Sequence, residues 1–181
     1  MSDNEIEDAR KDRFRILVCI DGSDECYQSL RHAARLGGGG DADLVLLYVR
    51  PTDQGLRSGG LQVRVARENM LKWGIELPGI QYLKKGRDML KEMGVMSGDD
   101  WKEEVVHTDV DGDPLGDNKI NYVNEKGTMV VLKLKVATNI ATGILEQWEL
   151  GTYNLIILGA SGRWKGVGRS FWDPAVAEKV A

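Results

Sequence analysis

The stretch Asn154-Leu155-Ile156-Ile157-Leu158-Gly159-Ala160-Ser161-Gly162 decides the fold. A short apolar run ends abruptly in a glycine-spaced turn. A strand buried on both faces of a parallel sheet reads this way, and its C-terminal end opens on a binding crevice. The chain beyond it is less suited to an anion. The next helix is expected to begin at Asp173-Pro174. An Asp N-cap occupies the free backbone N–H groups that a phosphate would use, and its charge repels the phosphate. Pro174 removes one donor outright. The frame is that of a nucleotide site with a poor phosphate end.

The residues upstream repeat the pattern. Phe14 to Ile20 is mostly apolar, with Ile16 to Ile20 continuous, as suits a strand covered on both faces. Asp21-Gly22-Ser23 makes a turn, with Ser23 as N-cap and Asp24 and Glu25 at the positive end of a helix. Tyr27, Leu30 and Ala34, with Cys26 and Ala33, form that helix's buried face, and Gly37 to Gly40 stops it. Leu44 to Val49 is a second strand closed by Pro51. A Gly-bearing loop through Gly59-Gly60 follows, with helical patterns over 61–73 and 79–93 broken at Pro78-Gly79. Tyr82, Leu83, Leu90 and Met93 mark the apolar face of the second, which Gly94 terminates. Strand–helix alternation of this kind predicts a parallel sheet with crossover helices.

Residues 96–127 interrupt the rhythm. Glu104 to Thr108 and Lys119 to Val123 read as short strands around a Gly- and Asp-rich bend, a hairpin-like insertion. Met129 to Val136 is the next sheet strand. Asn139 caps a helix with Ile144, Leu145 and Trp148 on its apolar face, and Gly151 ends it. The sequence to Ala181 offers no fifth parallel-type strand, so the sheet is expected to lack it. Residues 1–13 are polar and aperiodic and read as a flexible tail, leaving a single domain over 14–181.

Composition narrows the function. The 181 residues carry 42% hydrophobic residues, enough for a real core. A formal net charge of -4 gives no general attraction to nucleic acid or anionic lipid. No apolar run reaches membrane-spanning length and no signal-peptide core precedes the first strand, so the expected compartment is the cytoplasm. Cys19 in a strand and Cys26 in a helix read as buried apolar groups. His32 and His107 are far apart and lack a partner set for zinc or a triad. Asp109, Asp111, Asp113 and Asp117 look like a calcium loop, but the count fails. From Asp109 the sixth position is Pro114. From Asp111 the closing position is Tyr122, and the better reading is a solvated turn. No Gly-x-x-x-x-Gly-Lys-Ser/Thr or dinucleotide glycine fingerprint occurs.

Two strand ends then remain for chemistry. Asp21-Gly22-Ser23 and Gly159-Ala160-Ser161-Gly162 face one crevice if their strands are adjacent. Asp21 either accepts hydrogen bonds from a base or ribose, or only organises the turn and cap with Ser23. Downstream, Arg163-Trp164-Lys165-Gly166-Val167-Gly168-Arg169-Ser170 is basic and glycine-rich. It is either a phosphate-binding loop or a solvated one. Of the five tryptophans, Trp164 and Trp172 flank the suspected site.

The segments Ile16-Leu17-Val18-Cys19-Ile20-Asp21-Gly22-Ser23, Ala42-Asp43-Leu44-Val45-Leu46-Leu47-Tyr48-Val49 and Gly151 through Gly162 together resemble the universal stress protein family. Val176 to Val180 looks like the start of that family's last helix. The resemblance covers most of 14–95 and 129–181. It implies an open, mostly parallel twisted α/β sheet with helices on both faces, of the adenine nucleotide alpha hydrolase type, often dimeric. Some members bind ATP and others have lost it. Asp21 matches the aspartate at the adenine end, and Val49 an apolar adenine-side position. Gly159 and Gly162, bracketing Ser161, match the first half of the motif Gly, two residues, Gly, nine residues, Gly-Ser/Thr. The second half falls on Trp172-Asp173, or on Pro174-Ala175 after a two-residue extension, and is lost either way. The usual fifth strand, which contributes to the family's common dimer, is also missing.

The expected function is therefore a non-catalytic universal stress-type signalling or stress-response domain. It would act through protein partners, with a homo-oligomer as a further option, and without tight ATP binding. The alternative is an ATP-binding member with at most slow hydrolysis, because no general base or metal pair can be named. ATP, with Mg, or AMP would then place adenine by Asp21 and Val49, and phosphates by Gly159, Gly162, Arg163, Arg169 and Ser170. A third option is a structural oligomerisation module built on residues 96–127.

Overall fold

The computed structural model describes residues 13–37, 42–52, 78–98, 100–110, 113–159 and 179–180. Its elements run β1 (Arg15–Cys19), α1 (Asp24–Leu36), β2 (Asp43–Pro51), α2 (Pro78–Glu92), β3 (Lys102–Val110), β4 (Asp113–Val123), β5 (Met129–Ala137), α3 (Ile140–Leu150) and β6 (Leu155–Ile157). The strands form one sheet in the order β3-β4-β5-β2-β1-β6. Strands β5, β2, β1 and β6 are parallel neighbours, whereas β3–β4 and β4–β5 pair antiparallel. The sheet is thus mixed rather than mostly parallel, because β3 and β4 join its edge beside β5.

Helices cover both faces. Ile16 and Val18 of β1, Leu44 and Leu46 of β2, and Leu132 and Leu134 of β5 pack with Leu30 of α1 and Leu83 and Leu90 of α2. The alternate residues Leu17, Val45, Leu47 and Val131 pack on the opposite face with Ile144 of α3. Period-two alternation sends successive side chains to opposite sides. A strand whose residues are all apolar must therefore be covered twice. Each such side chain, once buried, contributes about 1.5–3 kcal/mol of apolar transfer energy.

The local signals act as their chemistry dictates. Ser23 Oγ accepts from the Cys26 N–H at 3.2 Å, and Asn139 Oδ1 accepts from the Thr142 N–H at 2.9 Å. Each satisfies one of the backbone donors a helix start leaves open. Pro78 is the first residue of α2, where its missing N–H costs nothing. Gly94 turns the chain after that helix with φ +77°.

Two helix faces differ from the sequence reading. Leu145 and Met93 are each 37% exposed rather than buried. In α3 the buried stripe is Ala141, Gly143, Ile144 and Gln147. The stripe is rotated because Gly143 must lie flat on the sheet. A Cβ there would stand 2.5 Å from Val49 Cγ1 and 2.9 Å from Ala137 Cβ. The predicted helix over 61–73, and the start of the last helix at Asp173, lie outside the described residues. So do the tail through residue 12 and the segment in which a further strand was expected to be absent.

The antiparallel hairpin is longer than its two apolar cores suggest. It is anchored by charge. Arg50 at the end of β2 holds Asp113 at the start of β4 through two contacts, Nη1–Oδ2 at 2.8 Å and Nη2–Oδ1 at 2.7 Å. Both residues are 7% exposed. Asp117 accepts from the Val136 N–H at 2.7 Å and lies 3.5 Å from Lys133 Nζ. These two aspartates are structural hooks, not parts of a solvated turn. The solvated reading failed because Arg50 is far away in sequence.

Removing one partner of a buried, bidentate pair strands the other charge. Asp113→Ala should cost about 3–5 kcal/mol in chemical denaturation. The double variant Arg50→Met, Asp113→Leu should recover most of the loss. An unchanged midpoint in Asp113→Ala would show that the pair does not anchor the hairpin.

Candidate functional site

Strand β1 is where the chain changes direction across the sheet. From β1 it proceeds to β2 and β5 on one side, and β6 then adds on the other. Helix α1 lies on one face and α3 on the opposite one. The crevice between the C-terminal ends of β1 and β6 is therefore a topological switch point, where open α/β sheets bind ligands.

Three of the residues singled out in the sequence meet at this edge. The ladder pairs Cys19 with Leu47 and Val18 with Ile157, and the Ile20 N–H continues it to the Leu47 carbonyl at 2.8 Å. Asp21, Val49 and Gly159 each lie two residues beyond a paired residue of β1, β2 or β6. Ser161, Gly162, Arg163, Arg169 and Ser170 lie outside the described residues.

Asp21 is engaged by its own turn. Its Oδ1 accepts from the Ser23 N–H at 2.9 Å and from the Ser23 hydroxyl at 2.6 Å. Ser23 in turn caps α1. Gly22 has φ +89°, and a Cβ on it would stand 2.9 Å from the Tyr82 ring. Both the backbone angle and the neighbour demand glycine.

Gly159 allows a close approach, and the body that approaches is helix α1. A Cβ on Gly159 would stand 2.9 Å from Cys26 Cα and N and 3.2 Å from the Glu25 carbonyl carbon. The end of β6 thus presses backbone to backbone on the first turn of the helix. Val49 is 6% exposed and sits beneath Gly143 of α3. Its side chain belongs to the core on the α3 face.

Sequence reasoning missed an aromatic group on the other face of the same edge. The rings of Tyr48 and Tyr82 lie 6.0 Å apart, tilted by 51°. The Tyr27 hydroxyl donates to the Tyr82 carbonyl at 3.1 Å, and Lys85 Nζ stands 4.3 Å above the Tyr27 ring. Gly79 lets α2 rest on Tyr48, since a Cβ there would run into that ring. The available signal was weak: Tyr82 follows Gly79 and Tyr27 follows Gly22, whereas Tyr48 has no glycine near it. Their contact, however, joins three elements.

Two thiols and one phenol beside this edge are held in their neutral forms. Burial, then the charge of Asp21, pushes the Cys19 thiol far above its ordinary range. Burial raises Cys26 to about 11, and its Sγ lies 3.1 Å from the Ser23 carbonyl as a donor. Burial also raises the Tyr27 phenol. At neutral pH none of these is a nucleophile or a base. Among the described residues no cluster of His, Cys, Asp or Glu could hold a metal ion, and no helix is long and apolar enough to cross a membrane.

The thiols give a pH dependence of definite sign. The unfolded chain releases the Cys26 proton near 9.0, the folded chain only near 11. The stabilisation is complete below about 9 and is lost progressively as pH rises toward 11. Cys19 and Tyr27 act in the same direction. The urea midpoint should therefore fall between pH 8 and pH 10.5 at constant salt, on the order of 1 kcal/mol or more. A flat profile would contradict the burial of these groups.

No curated protein and no solved structure gave a match to the chain. The sequence model of the universal stress protein family matches residues 13–181, which include the switch-point strands, the capped α1 and the crevice edge, and the chain belongs to that family.

Proposed function

We propose that the protein is a non-catalytic universal stress-type signalling or stress-response domain that acts through protein partners and does not bind ATP tightly. One observation carries this reading. Three groups expected to meet an adenine nucleotide at the switch point already have internal contacts. Asp21 Oδ1 is taken by Ser23, Gly159 by the backbone of Cys26, and Val49 by α3. The space above Gly22 is taken by the Tyr82 ring.

The sequence adds a second support. Trp172-Asp173 or Pro174-Ala175 stands where the family's ATP-binding members carry Gly-Ser or Gly-Thr. A nucleotide without that phosphate cradle loses the N–H groups that make such sites strong. The Cys19 and Cys26 thiols and the Tyr27 phenol are no nucleophiles or bases at neutral pH, which favours a recognition domain over a hydrolase.

The test begins with freshly purified protein. Denaturing it and separating the supernatant should release no stoichiometric nucleotide. Titration of the protein with ATP and magnesium by calorimetry should give no heat of micromolar binding. Retained nucleotide or micromolar ATP would overturn the reading in favour of an ATP-binding member. Arg163→Ala, Arg169→Ala would then show whether the 163–170 loop holds the phosphates.

A further inference from the structure

The sheet ends on one side in β3, a nine-residue edge strand with one strand partner among the described residues. An edge strand of this length presents a row of backbone N–H and C=O groups that invite another strand. Side chains from residue 102 to residue 108 are exposed. The row of cross-strand partners Ile157, Val18, Leu46, Leu132 and Ile120 is apolar across the whole sheet and finishes at Val105. Ile120 is buried, but Val105, its neighbour in that row, is 65% exposed. A valine at the open end of a core row is unfinished burial.

The geometry points to a second copy of this chain as the occupant. We propose that β3 pairs antiparallel with β3 of another molecule about a two-fold axis at Val105, joining two sheets into one. In that register Val105 faces Val105 of the partner subunit. Glu103 faces the partner's His107, and His107 faces the partner's Glu103. The strand is thus self-complementary at its apolar centre, and each flank sets a carboxylate beside an imidazole. Cross-strand apolar pairs are among the units that stabilise such a ladder.

Neighbouring registers are worse. A symmetric axis at Glu104 sets that carboxylate against its own copy, and like charges directly opposite destabilise a pair. An axis at Val106 continues the row through Lys119 and Lys133 instead of Ile120 and Leu132. Only the Val105 axis extends the buried apolar row.

This inference goes beyond the nucleotide reading and does not depend on it. A monomer that binds no ATP overturns the dimer alone, and a dimer that binds ATP overturns the nucleotide reading alone. The full chain should elute in light-scattering chromatography at twice the chain mass, with a concentration-dependent midpoint. Val105→Lys changes an exposed position and sets two ammonium groups face to face. It should keep the circular dichroism and melting of the parent and weaken the dimer at least about tenfold. Glu103→Lys should weaken the dimer too, and Glu103→Lys, His107→Glu should restore it.

A Val105→Cys variant gives an independent readout. Mild oxidation should link it to itself, while Cys19 and Cys26 stay buried and unlinked. A wild-type monomer at high concentration would overturn the proposal. So would a dimer indifferent to Val105→Lys, or Val105→Cys that fails to crosslink while the wild type dimerises.

Discussion

Burial of β1 and β2 on both faces is the constraint from which the rest of the molecule follows. Ile16 through Ile20 and Leu44 through Leu47 are almost wholly inaccessible. Strands this apolar gain nothing from a solvated face, so each side of the sheet needs its own helix layer. Parallel pairing of β1 with β2 forces a crossover on one face, and the later return to β6 places another helix on the opposite face. The switch point at the end of β1 is the topological result. It is where two crossovers diverge, and no single residue creates it.

The hairpin is held differently. Its outer strand shares little of the core, so position comes from polar contacts with strict geometry. Arg50 meets Asp113 bidentately, Asp117 bridges a backbone N–H and Lys133, and the Arg87 guanidinium lies 2.9 Å from the Tyr122 hydroxyl. At the opposite end of the strands, Asp43 accepts from Arg13 at 3.0 Å and from the Met129 N–H at 2.9 Å. Buried ion pairs are costly to desolvate and contribute little net stability. Their value here is directional. A shift of one residue would turn every side chain to the wrong face and would leave these charges unmatched.

The parallel half of the sheet was legible because its information is local. Continuous apolar runs fix β1, β2 and β6 to within a few residues, the mostly apolar Met129 to Val136 fixes β5, and Ser23 and Asn139 announce the helices they cap. The hairpin was legible as two short strands. Its true length, and its attachment beside β5, were not. Alternation in Lys102 to Val110 is weak because most of the strand faces water, and the Arg50–Asp113 contact spans 63 residues. The neighbouring ends of β1 and β6 were legible from their turns, but what packs on them was not. Asp21, Val49 and Gly159 do converge on one edge. That Gly159 approaches a helix backbone, and that Tyr82 covers Gly22, depends on packing that no periodicity records.

The contacts that close the fold at the switch point are the contacts a ligand would have to replace. A ligand donor reaching Asp21 Oδ1 competes with two internal bonds, each worth about 0.5–1.5 kcal/mol net. Access to Val49 requires α3 to lift from a surface where Gly143 leaves no spare room. Entry above Gly22 requires Tyr82 to leave Tyr48. Each step spends stability before any ligand contact forms, and the apparent affinity falls by the fraction of molecules already open. The contacts at the described ends of β1 and β6 therefore tie these strands to α1 and α2. The exposed edge of β3 stands apart from that joint, so a second protein meeting it would disturb no core packing.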